Sequence, residues 1–362
     1  MDLEKLGWDI DFEEYFKSVR LTGDNAGRII QIQNGRYTVL DEEGIKTGKL
    51  SGKFRNSIRR RNEFPAVGDW IVFNKKDDTE TVFIKSVLPR KSSFVRKLPI
   101  SGGRKLKNGS ISGGIIEEQV ICSNIDTSFI VTGLDQNFDI RRIERYITLV
   151  YNSGSNPVLL LNKADICDCV NEYREEVEKI ARGIPVHALS AITGIGMNAF
   201  QLYLLPGKTV VFLGSSGVGK STIINLLLGE ERQRTNQISA ATGKGRHTTV
   251  KTELINHSNG SMIIDTPGLK ELQLWGSINS LNESYSDVYE LSLHCRFRDC
   301  SHNGEPGCAI IKALDDGILS CDRFESYKKQ LDELIRLDKQ RYEYDKSFSK
   351  KEKFRIKQSI NK

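Results

Sequence analysis

The sequence has no long apolar run and no leader of the secretory type. No stretch of about 18 or more apolar residues occurs in the 362-residue chain, so we expect no membrane-spanning helix and no membrane partner. The opening residues, MDLEKLGWDIDFEEYF, are acidic and mixed, whereas a signal peptide has a basic stretch followed by an apolar one. These features argue against integral membrane and secreted proteins.

Cysteine occurs in an odd number, seven, so at least one thiol lacks a disulfide partner within the chain. Disulfide frameworks belong to small secreted domains, and nothing in the sequence indicates export. We therefore expect a protein of the reducing cytoplasm. Four of the cysteines are predicted to be ordinary core or surface thiols: Cys122, Cys167, Cys169 and Cys321.

The net charge is only +6, but the basic residues are clustered. The clusters cover residues 55–61, 90–97, 104–107 and 346–357. A solvated surface explains any one of them, but several clusters near both ends of the chain indicate a polyanionic partner such as nucleic acid. The length exceeds what one hydrophobic core usually supports, so we expect two or three domains.

The first hundred residues predict a helical segment, residues 1–22, followed by a small β domain, residues 23–98. An Asn34-Gly35 pair separates two runs of alternating apolar residues, which is a strong hairpin signal. Further strands are predicted at residues 45–54, 67–73 and 81–88. About five short strands in this length fit an OB-fold barrel, which commonly binds oligonucleotides, while an SH3-like barrel or a protein-docking module remains an alternative.

From residue 117 the pattern changes to strands that alternate with helices. Residues 99–116 are glycine-rich, basic and aperiodic, which predicts a flexible linker. Residues 117–276 then alternate between buried strands and amphipathic helices. This alternation predicts an α/β domain with a parallel sheet and helices on both faces.

The segment GSSGVGKST matches the phosphate-binding loop pattern GxxxxGK[ST]. It follows the buried strand VVFL and opens an apolar helix, which is the context that the loop requires. Backbone N–H groups would cradle the phosphates, Lys220 would reach the outer phosphates and Ser221 would bind Mg²⁺. The predicted loop residues are Gly214, Ser215, Ser216, Gly217, Val218, Gly219, Lys220, Ser221 and Thr222.

The segment LNKAD predicts that the nucleotide is GTP or GDP. Asn162, Lys163 and Asp165 follow a buried strand, and ligands of open sheets bind at the carboxyl ends of strands. A carboxylate at Asp165 would accept hydrogen bonds from the guanine N1–H and its exocyclic amine, donors that adenine lacks there. After the next strand come Ser190 and Ala191, where a backbone N–H could reach the guanine O6.

The segment DTPG predicts a switch that senses the terminal phosphate. Asp265 would hold Mg²⁺ through water, and the amide of Gly268 would face the third phosphate. Before it lies the polar segment TGKGRHTTV, in which Thr248 or Thr249 could complete the Mg²⁺ shell.

These motifs stand in a rotated order along the chain. The base-reading segment precedes the phosphate loop, and the switch follows, whereas in most GTPases the phosphate loop comes first. A sheet whose loops emerge on one side tolerates such a circular permutation. The segment after Gly268 would then leave the GTPase domain directly from the switch.

The last part of the chain contains the spacing C-x4-C-x-H-x5-C. Three thiolates and one imidazole match a structural zinc site, with His294 as an alternative ligand. The predicted ligands are Cys295, Cys300, His302 and Cys308. We expect one structural Zn²⁺ in a mainly helical domain, residues 277–345, and a basic tail, residues 346–362, that is disordered until bound.

With a barrel, a permuted GTPase domain and a Cys3His element in that order, nearly the whole chain resembles the ribosome small-subunit-dependent GTPase A family of bacteria. The resemblance implies a monomeric cytoplasmic GTPase that binds the small ribosomal subunit and its 16S rRNA during late maturation. It also implies slow hydrolysis that the subunit stimulates. The basic loop at residues 101–114 is longer than the usual connection in this family.

Leu269 follows Gly268, although many GTPases place a water-orienting glutamine there. We therefore expect His247 to position or deprotonate the attacking water, as the family pattern also suggests. Two other functions remain open from the sequence: a nucleotide-gated RNA-binding module in which hydrolysis is incidental, and a metal-handling or metabolic GTPase.

Overall fold

The computed structural model of the protein describes residues 2–75, 81–98, 104–105, 111–112, 117–229, 252–266 and 277–360. The chain forms two compact units. The first consists of Met1–Val95 and Val120–Leu272, and the second of Arg96–Gln119 and Gln273–Lys362. Within the described ranges, no helix combines the length and the apolar character that crossing a bilayer requires.

The first unit begins with a 3-10 turn, Leu3–Leu6, and helix α1, Ile10–Val19. Asp9 caps α1 by accepting the N–H of Phe12. The apolar face of the helix buries Phe12 and Phe16, and Phe12 lies 6.0 Å from the ring of Trp70. The predicted N-terminal helix is therefore packed against the β domain.

The β domain is a closed five-stranded barrel, as the hairpin and strand spacing predict. Its strands are β1 (Asp24–Gln33), β2 (Arg36–Asp41), β3 (Gly44–Leu50), β4 (Trp70–Lys75) and β5 (Thr81–Val87), with helix α2 (Gly52–Ser57) after β3. The order β1-β2-β3-β5-β4 closes because β1 also pairs with β4, and the pairing of β3 with β5 is parallel. This is the OB-fold arrangement.

One predicted barrel strand is too long. The strand expected at residues 45–54 ends at Leu50, and Phe54 lies in α2. The reason is local, since the side chain of Ser51 accepts the N–H of Phe54 and caps the helix.

Two short strand pairs follow the barrel. Strand β6 (Ser93–Lys97) pairs with β9 (Glu118–Ser123), and β7 (Arg104–Lys105) pairs with β8 (Ile111–Ser112). The prediction of a flexible linker or loop at residues 99–116 did not include the short strands β7 and β8. The Asn108-Gly109 pair between these two strands is itself a hairpin signal.

The remainder of the first unit is the α/β domain. Its elements are β10 (Thr127–Gly133), α3 (Ile140–Ser153), β11 (Asn156–Asn162), α4 (Val170–Ile180), β12 (Val186–Ala188), β13 (Thr209–Leu213), α5 (Lys220–Leu228), β14 (Glu253–Asn256) and β15 (Met262–Asp265). Five strands are parallel, in the order β12-β11-β10-β13-β15, and β14 joins β15 as an antiparallel hairpin. The predicted helix at residues 197–204 is a 3-10 helix, Met197–Leu202.

The sheet is covered by helices as the sequence predicts. Side chains of β10, β11 and β13 form an apolar cluster with Phe200 and with Ile223 and Ile224 of α5. Helix α3 contacts β10 and β11 but contributes nothing to this cluster, which indicates that it covers the opposite face. Strands β10 and β13 are buried at every residue, which is typical of a parallel sheet covered on both faces.

The second unit contains the helices α6 (Ile278–Ser284), α7 (Ser286–Ser292), α8 (Ala309–Asp315) and α9 (Cys321–Ile360). Its core is organised around Tyr285, whose hydroxyl lies 2.9 Å from Ser326 Oγ and accepts a hydrogen bond from Gln330. Arg323 stacks over the Tyr285 ring and donates two hydrogen bonds to Asp287.

Helix α9 continues through residues 346–360, so the prediction of a disordered tail is wrong for the backbone of this segment. No glycine or proline occurs between Gly317 and the end of the chain, and the segment is rich in Lys, Glu, Arg and Gln. These residues favour helix, and a helix that is already formed propagates more easily than it starts.

Candidate functional site

The predicted site residues lie at one edge of the parallel sheet. Strands β10, β11, β12, β13 and β15 all run in the same direction, so the loops that leave their carboxyl ends meet at this edge. The loop after β11 carries Asn162, Lys163 and Asp165, and the loop after β13 begins with Gly214. Motifs that are far apart in the sequence are thereby brought together.

Asn162 connects three of these loops. It is 3% exposed, its Nδ2 donates to the carbonyl of Val218 at 2.8 Å, and its Oδ1 accepts the N–H of Ala191 at 3.0 Å. A Cβ atom at Gly219 would lie 2.2 Å from Asn162 Nδ2, so only glycine allows this approach. The base-reading segment is thus bonded to the phosphate loop.

The phosphate loop has the backbone conformation that its glycines permit. Gly214, Gly217 and Gly219 have φ angles of 140°, 80° and 98°. A Cβ atom at Gly214 would lie 2.2 Å from the carbonyl oxygen of Val131 on the neighbouring strand β10. The loop therefore packs directly on the sheet and leads into α5, whose N-terminal N–H groups favour an anion.

Lys220 and Ser221 form the first turn of α5, and Thr222 follows them. The Nζ of Lys220 donates to the carbonyls of Gly214 and Ser215, both at 2.6 Å. These hydrogen bonds hold the ammonium group over the loop, at the position where a phosphate would bind. Ser216 and Gly217, at the tip of the loop, are exposed.

Ser190 and Ala191 form the turn after β12. The hydroxyl of Ser190 is buried and accepts the N–H groups of Ile192 and Thr193 at 3.3 and 3.1 Å. The N–H of Ala191 donates to Asn162, so it would have to exchange that bond to reach a guanine oxygen. This side chain network was not predicted by the sequence.

Lys163 adopts a left-handed backbone conformation, with φ at +69°. Its Nζ lies 2.5 Å from Oδ2 of Asp135, a residue in the loop after β10. Burial would raise the pKa of Asp135, but the hydrogen bonds from Lys163 and Asn137 outweigh it and lower that pKa. Asp165, in the short turn Ala164–Ile166, has an exposed side chain.

Helix α3 contacts the phosphate loop from the side. Arg142 donates to the hydroxyl of Ser215 at 2.9 Å and is paired with Asp139, the residue that caps α3. The hydroxyl of Tyr146, one turn further along α3, also hydrogen-bonds to Ser215. The sequence motifs do not include Arg142 or Tyr146.

Only part of the predicted switch is described. Asp265 is the last residue of β15, and the hydroxyl of Thr266 is buried without a hydrogen-bond partner among the described residues. His247, Thr248, Thr249, Gly268 and Leu269 lie outside the described residues.

The second unit brings together the four predicted zinc ligands, Cys295, Cys300, His302 and Cys308. Their ligand atoms all lie within 4.8 Å of one another. The sulfur atoms of Cys295 and Cys308 are 4.0 Å apart. The sulfur of Cys295 lies 3.6 Å from Nδ1 of His302, and that of Cys308 lies 3.5 Å from the same atom. A tetrahedral zinc ion would separate its ligand atoms by about 3.6 to 3.8 Å, given the usual bond lengths, so the group fits the metal.

The turn around these ligands is held by Glu305, which the sequence analysis did not single out. Its carboxylate accepts the N–H groups of Ser301 and Asn303 at 2.8 and 2.7 Å, on either side of His302. His302 itself has a φ of +59°. The alternative ligand His294 is exposed and is not a member of the cluster.

The surroundings of the Cys295 thiol favour its ionised form. Burial would raise its pKa, but the N–H groups of Ala309 and Ile310 donate to the sulfur and leave the pKa below its ordinary value. Thiolates bind zinc in proteins, so this environment favours a metal-bound thiolate.

Asp135 is the clearest site residue that the motifs missed. A signal for it existed, since it follows a buried strand at the same sheet edge as Asn162 and Gly214. Arg142 and Glu305 carried no such signal, because their partners are known only from the folded chain.

Comparison with known proteins agrees with this arrangement. A family model described as RsgA GTPase matches residues 87–275, and one described as RsgA N-terminal domain matches residues 26–83. A third, described as 50S ribosome-binding GTPase, matches residues 209–342.

Two relatives align over almost the full chain, and both are called small ribosomal subunit biogenesis GTPase RsgA. The protein of Syntrophotalea carbinolica is 40% identical, over 92% of this chain and 90% of the relative. That of Opitutus terrae is also 40% identical, over 91% of this chain and 89% of the relative.

Among solved structures, YjeQ from Thermotoga maritima is 26% identical and superposes with a TM-score of 0.61, over 86% of this chain and 99% of that chain. YloQ, described as a circularly permuted GTPase, has a TM-score of 0.60 at 23% identity, over 87% of this chain and 96% of that chain. The likeness to YloQ concerns the fold.

Proposed function

Because this chain belongs to the RsgA GTPase family, we propose that it hydrolyses GTP to GDP and phosphate during the late assembly of the small ribosomal subunit. The observation that carries the proposal is the double role of Asn162. It ties the predicted base-reading loop to the phosphate loop through Val218 and to the turn after β12 through Ala191. A base and its phosphates would therefore share one site.

The roles of the site residues are part of this proposal. Asn162, Lys163 and Asp165, with Ser190 and Ala191, recognise guanine, and residues 214–222 bind the phosphates. Ser221, Asp265 and either Thr248 or Thr249 would hold Mg²⁺, which would neutralise phosphate charge. The amide of Gly268 senses the third phosphate.

Catalysis requires a group that orients water, and we assign that role to His247. Lys220 stabilises the charge that develops on the outer phosphates. Replacing His247 with Ala should abolish most of the subunit-stimulated turnover and leave GTP affinity unchanged. Full stimulated turnover in His247→Ala would reject the assignment.

The partner is the small subunit rather than the large one. The family model named for the 50S subunit covers only residues 209–342, which begin at the strand before the phosphate loop. The relatives that match along almost the whole chain are named for the small subunit. The proposal includes contact between 16S rRNA and both the barrel and the basic surfaces.

The proposal also includes a monomeric state, a cytoplasmic location and one structural Zn²⁺ bound by Cys295, Cys300, His302 and Cys308. It further includes the division of the chain into segments with the bounds 1–22, 23–98, 99–116, 117–276, 277–345 and 346–362. The zinc would serve the fold of the second unit, since its four ligands leave no open position for a substrate.

The decisive experiment measures GTP and ATP turnover with no subunits, with purified small subunits and with purified large subunits. We expect GTP turnover to rise at least tenfold with small subunits alone, as an order-of-magnitude figure for a complex that supplies or orders a catalytic group. Sedimentation with small subunits should be stronger with a non-hydrolysable GTP analogue than with GDP.

The main alternative is an RNA-binding module in which hydrolysis is incidental. It predicts nucleotide-dependent sedimentation without acceleration of turnover. Equal use of ATP and GTP, or stimulation by large subunits only, would overturn the proposed function.

A further inference from the structure

We propose that Asp135 is a positioning residue of the guanine site, which acts by holding Lys163 in place. The inference rests on the proposed function, because it concerns how the same site binds guanine nucleotides. Asp135 belongs to none of the nucleotide-binding motifs. It lies in the loop that leaves β10, and β10 is the parallel neighbour of β11, whose end carries Asn162 and Lys163.

The loop after β10 is itself fixed at several points. Leu134 donates its N–H to the carbonyl of Asn162 at 2.8 Å, which extends the pairing of the two strands beyond their last residues. The Oδ1 atom of Asp135 accepts the N–H of Asn137 at 2.9 Å. The second oxygen, Oδ2, therefore has a defined direction, and it meets Lys163 Nζ at 2.5 Å.

Gly133 makes room for this pair. A Cβ atom at Gly133 would lie 2.9 Å from Asp135 Oδ1 and 3.5 Å from Cδ of Lys163. A larger residue at this position would require the carboxylate of Asp135 to shift. The absence of a side chain at Gly133 lets Asp135 and Lys163 meet without such a shift.

Lys163 needs such a partner more than an ordinary surface lysine does. Its backbone is in the left-handed region, which costs free energy for a residue with a side chain. Its four-carbon side chain has many rotamers, and fixing one of them costs conformational entropy. An ion pair formed before the nucleotide arrives lowers the cost that binding would otherwise carry.

The pair is partly protected from solvent, with 24% of the Lys163 side chain and 21% of the Asp135 side chain exposed. The four-carbon stem of Lys163, held by this pair, can then offer an apolar surface at the sheet edge that also carries Asp165. A purine ring can lie against this surface while Asp165 reads its edge. Asp135 thus acts on the nucleotide through Lys163 without touching it.

The experiment compares equilibrium binding of fluorescent GDP and GTP analogues to the wild-type chain and to Asp135→Asn. Asparagine keeps an oxygen for the N–H of Asn137 and removes the charge that holds Lys163. We expect the dissociation constants for both nucleotides to rise about tenfold, by the same factor.

A matched control is Asp168→Asn, which removes the same charge from an exposed position close to Lys163 in sequence. It should bind like the wild type. Thermal unfolding without nucleotide should agree between the two variants, which shows that a loss of binding does not come from a loss of fold.

The double variant Asp135→Asn/Lys163→Ala separates a positioning role from a general structural one. If Asp135 acts through Lys163, its replacement should cost nothing further once Lys163 is alanine. A structural role would weaken binding by the same factor in both backgrounds.

Wild-type affinity in Asp135→Asn, tighter binding, or independent losses in the double variant would each overturn the inference. Tighter binding would mean that Asp135 competes with the nucleotide for Lys163. These results leave the proposed function standing, whereas a wild-type chain that binds no guanine nucleotide would overturn both.

Discussion

Gln31 of the barrel strand β1 is paired with Glu253 of β14, the strand of the α/β domain that follows the predicted switch threonines. This pairing joins the barrel and the nucleotide-binding domain in one sheet of eleven strands. The edge of the α/β sheet beside β14 is therefore occupied by the chain's own barrel. An unpaired edge strand would instead be a template for another chain.

The first prediction concerns hydrogen exchange in β1. If Thr248 or Thr249 binds Mg²⁺ with GTP, strand β14 is restrained at its start, and the restraint passes to β1 through backbone hydrogen bonds. Amides around Gln31 should exchange more slowly with a non-hydrolysable GTP analogue than with GDP. Strand β5, which does not pair with β14, serves as the internal control, and equal exchange of β1 in both states would contradict the prediction.

The second prediction concerns Arg28, a fully buried cation between the N-terminal segment, the barrel and the α/β domain. It donates to the carbonyls of Leu6, Gly68 and Asn124 and stacks over Trp70. Burial lowers its pKa to about 10, so it stays protonated at neutral pH.

Replacing Arg28 with Met would leave the carbonyls of Leu6 and Asn124 buried without this donor, while the carbonyl of Gly68 would keep its hydrogen bond from Asn124 Nδ2. We expect the free energy of unfolding of the first unit to fall by about 3 to 5 kcal/mol, measured by urea denaturation. Arg36→Met, at an exposed position of β2, is the matched control and should change it by less than about 0.5 kcal/mol. A similar small effect in both variants would show that the Arg28 network contributes little.

The third prediction concerns the choice of base. Asp165→Asn exchanges a double acceptor for a group that also donates, so guanine loses its partner and xanthine, with a carbonyl in place of the amine, gains one. GDP affinity should fall by at least about 100-fold and XDP affinity should rise. Retention of GDP preference would place the base elsewhere.

The fourth prediction concerns the seven thiols. Cys169 and Cys321 are exposed, Cys167 is half-buried, and Cys122 is buried with a raised pKa. A thiol reagent should therefore modify three cysteines in the zinc-loaded protein, three more after chelation, and Cys122 only on unfolding.

Cys321→Ser is the control for this titration, since it should remove one fast thiol and leave the zinc content unchanged. Six fast thiols in the metal-loaded protein would mean that the cluster holds no zinc.

The fifth prediction is the pH dependence of the Asp135 pair. The pKa of Asp135 lies below its ordinary value of 3.8, so the contribution of the pair is complete above that value and is lost as the pH falls through the lower one. The ratio of GDP affinities between wild type and Asp135→Asn should stay constant from about pH 8 to about pH 5. A ratio that halves near pH 6 would show that another group controls Lys163.

Several features follow from the sequence alone because they depend on neighbouring residues. The Asn34-Gly35 pair permits the φ angles of 50° and 73° that the first hairpin needs. The glycines of the phosphate loop and the spacing of the zinc ligands are local in the same sense. The rotated order of the motifs can also be recognised in the sequence, since each motif marks the end of a strand.

Only the tertiary structure decides which side chains from different strands meet. Asp135 and Lys163 are 28 residues apart, and they touch because β10 and β11 are parallel neighbours whose ends coincide. The same holds for Arg142 on Ser215 and for the joining of β1 to β14, since no local pattern specifies a partner across such a distance. The sequence determines what each loop can bind, and the packing of the sheet determines which loops bind together.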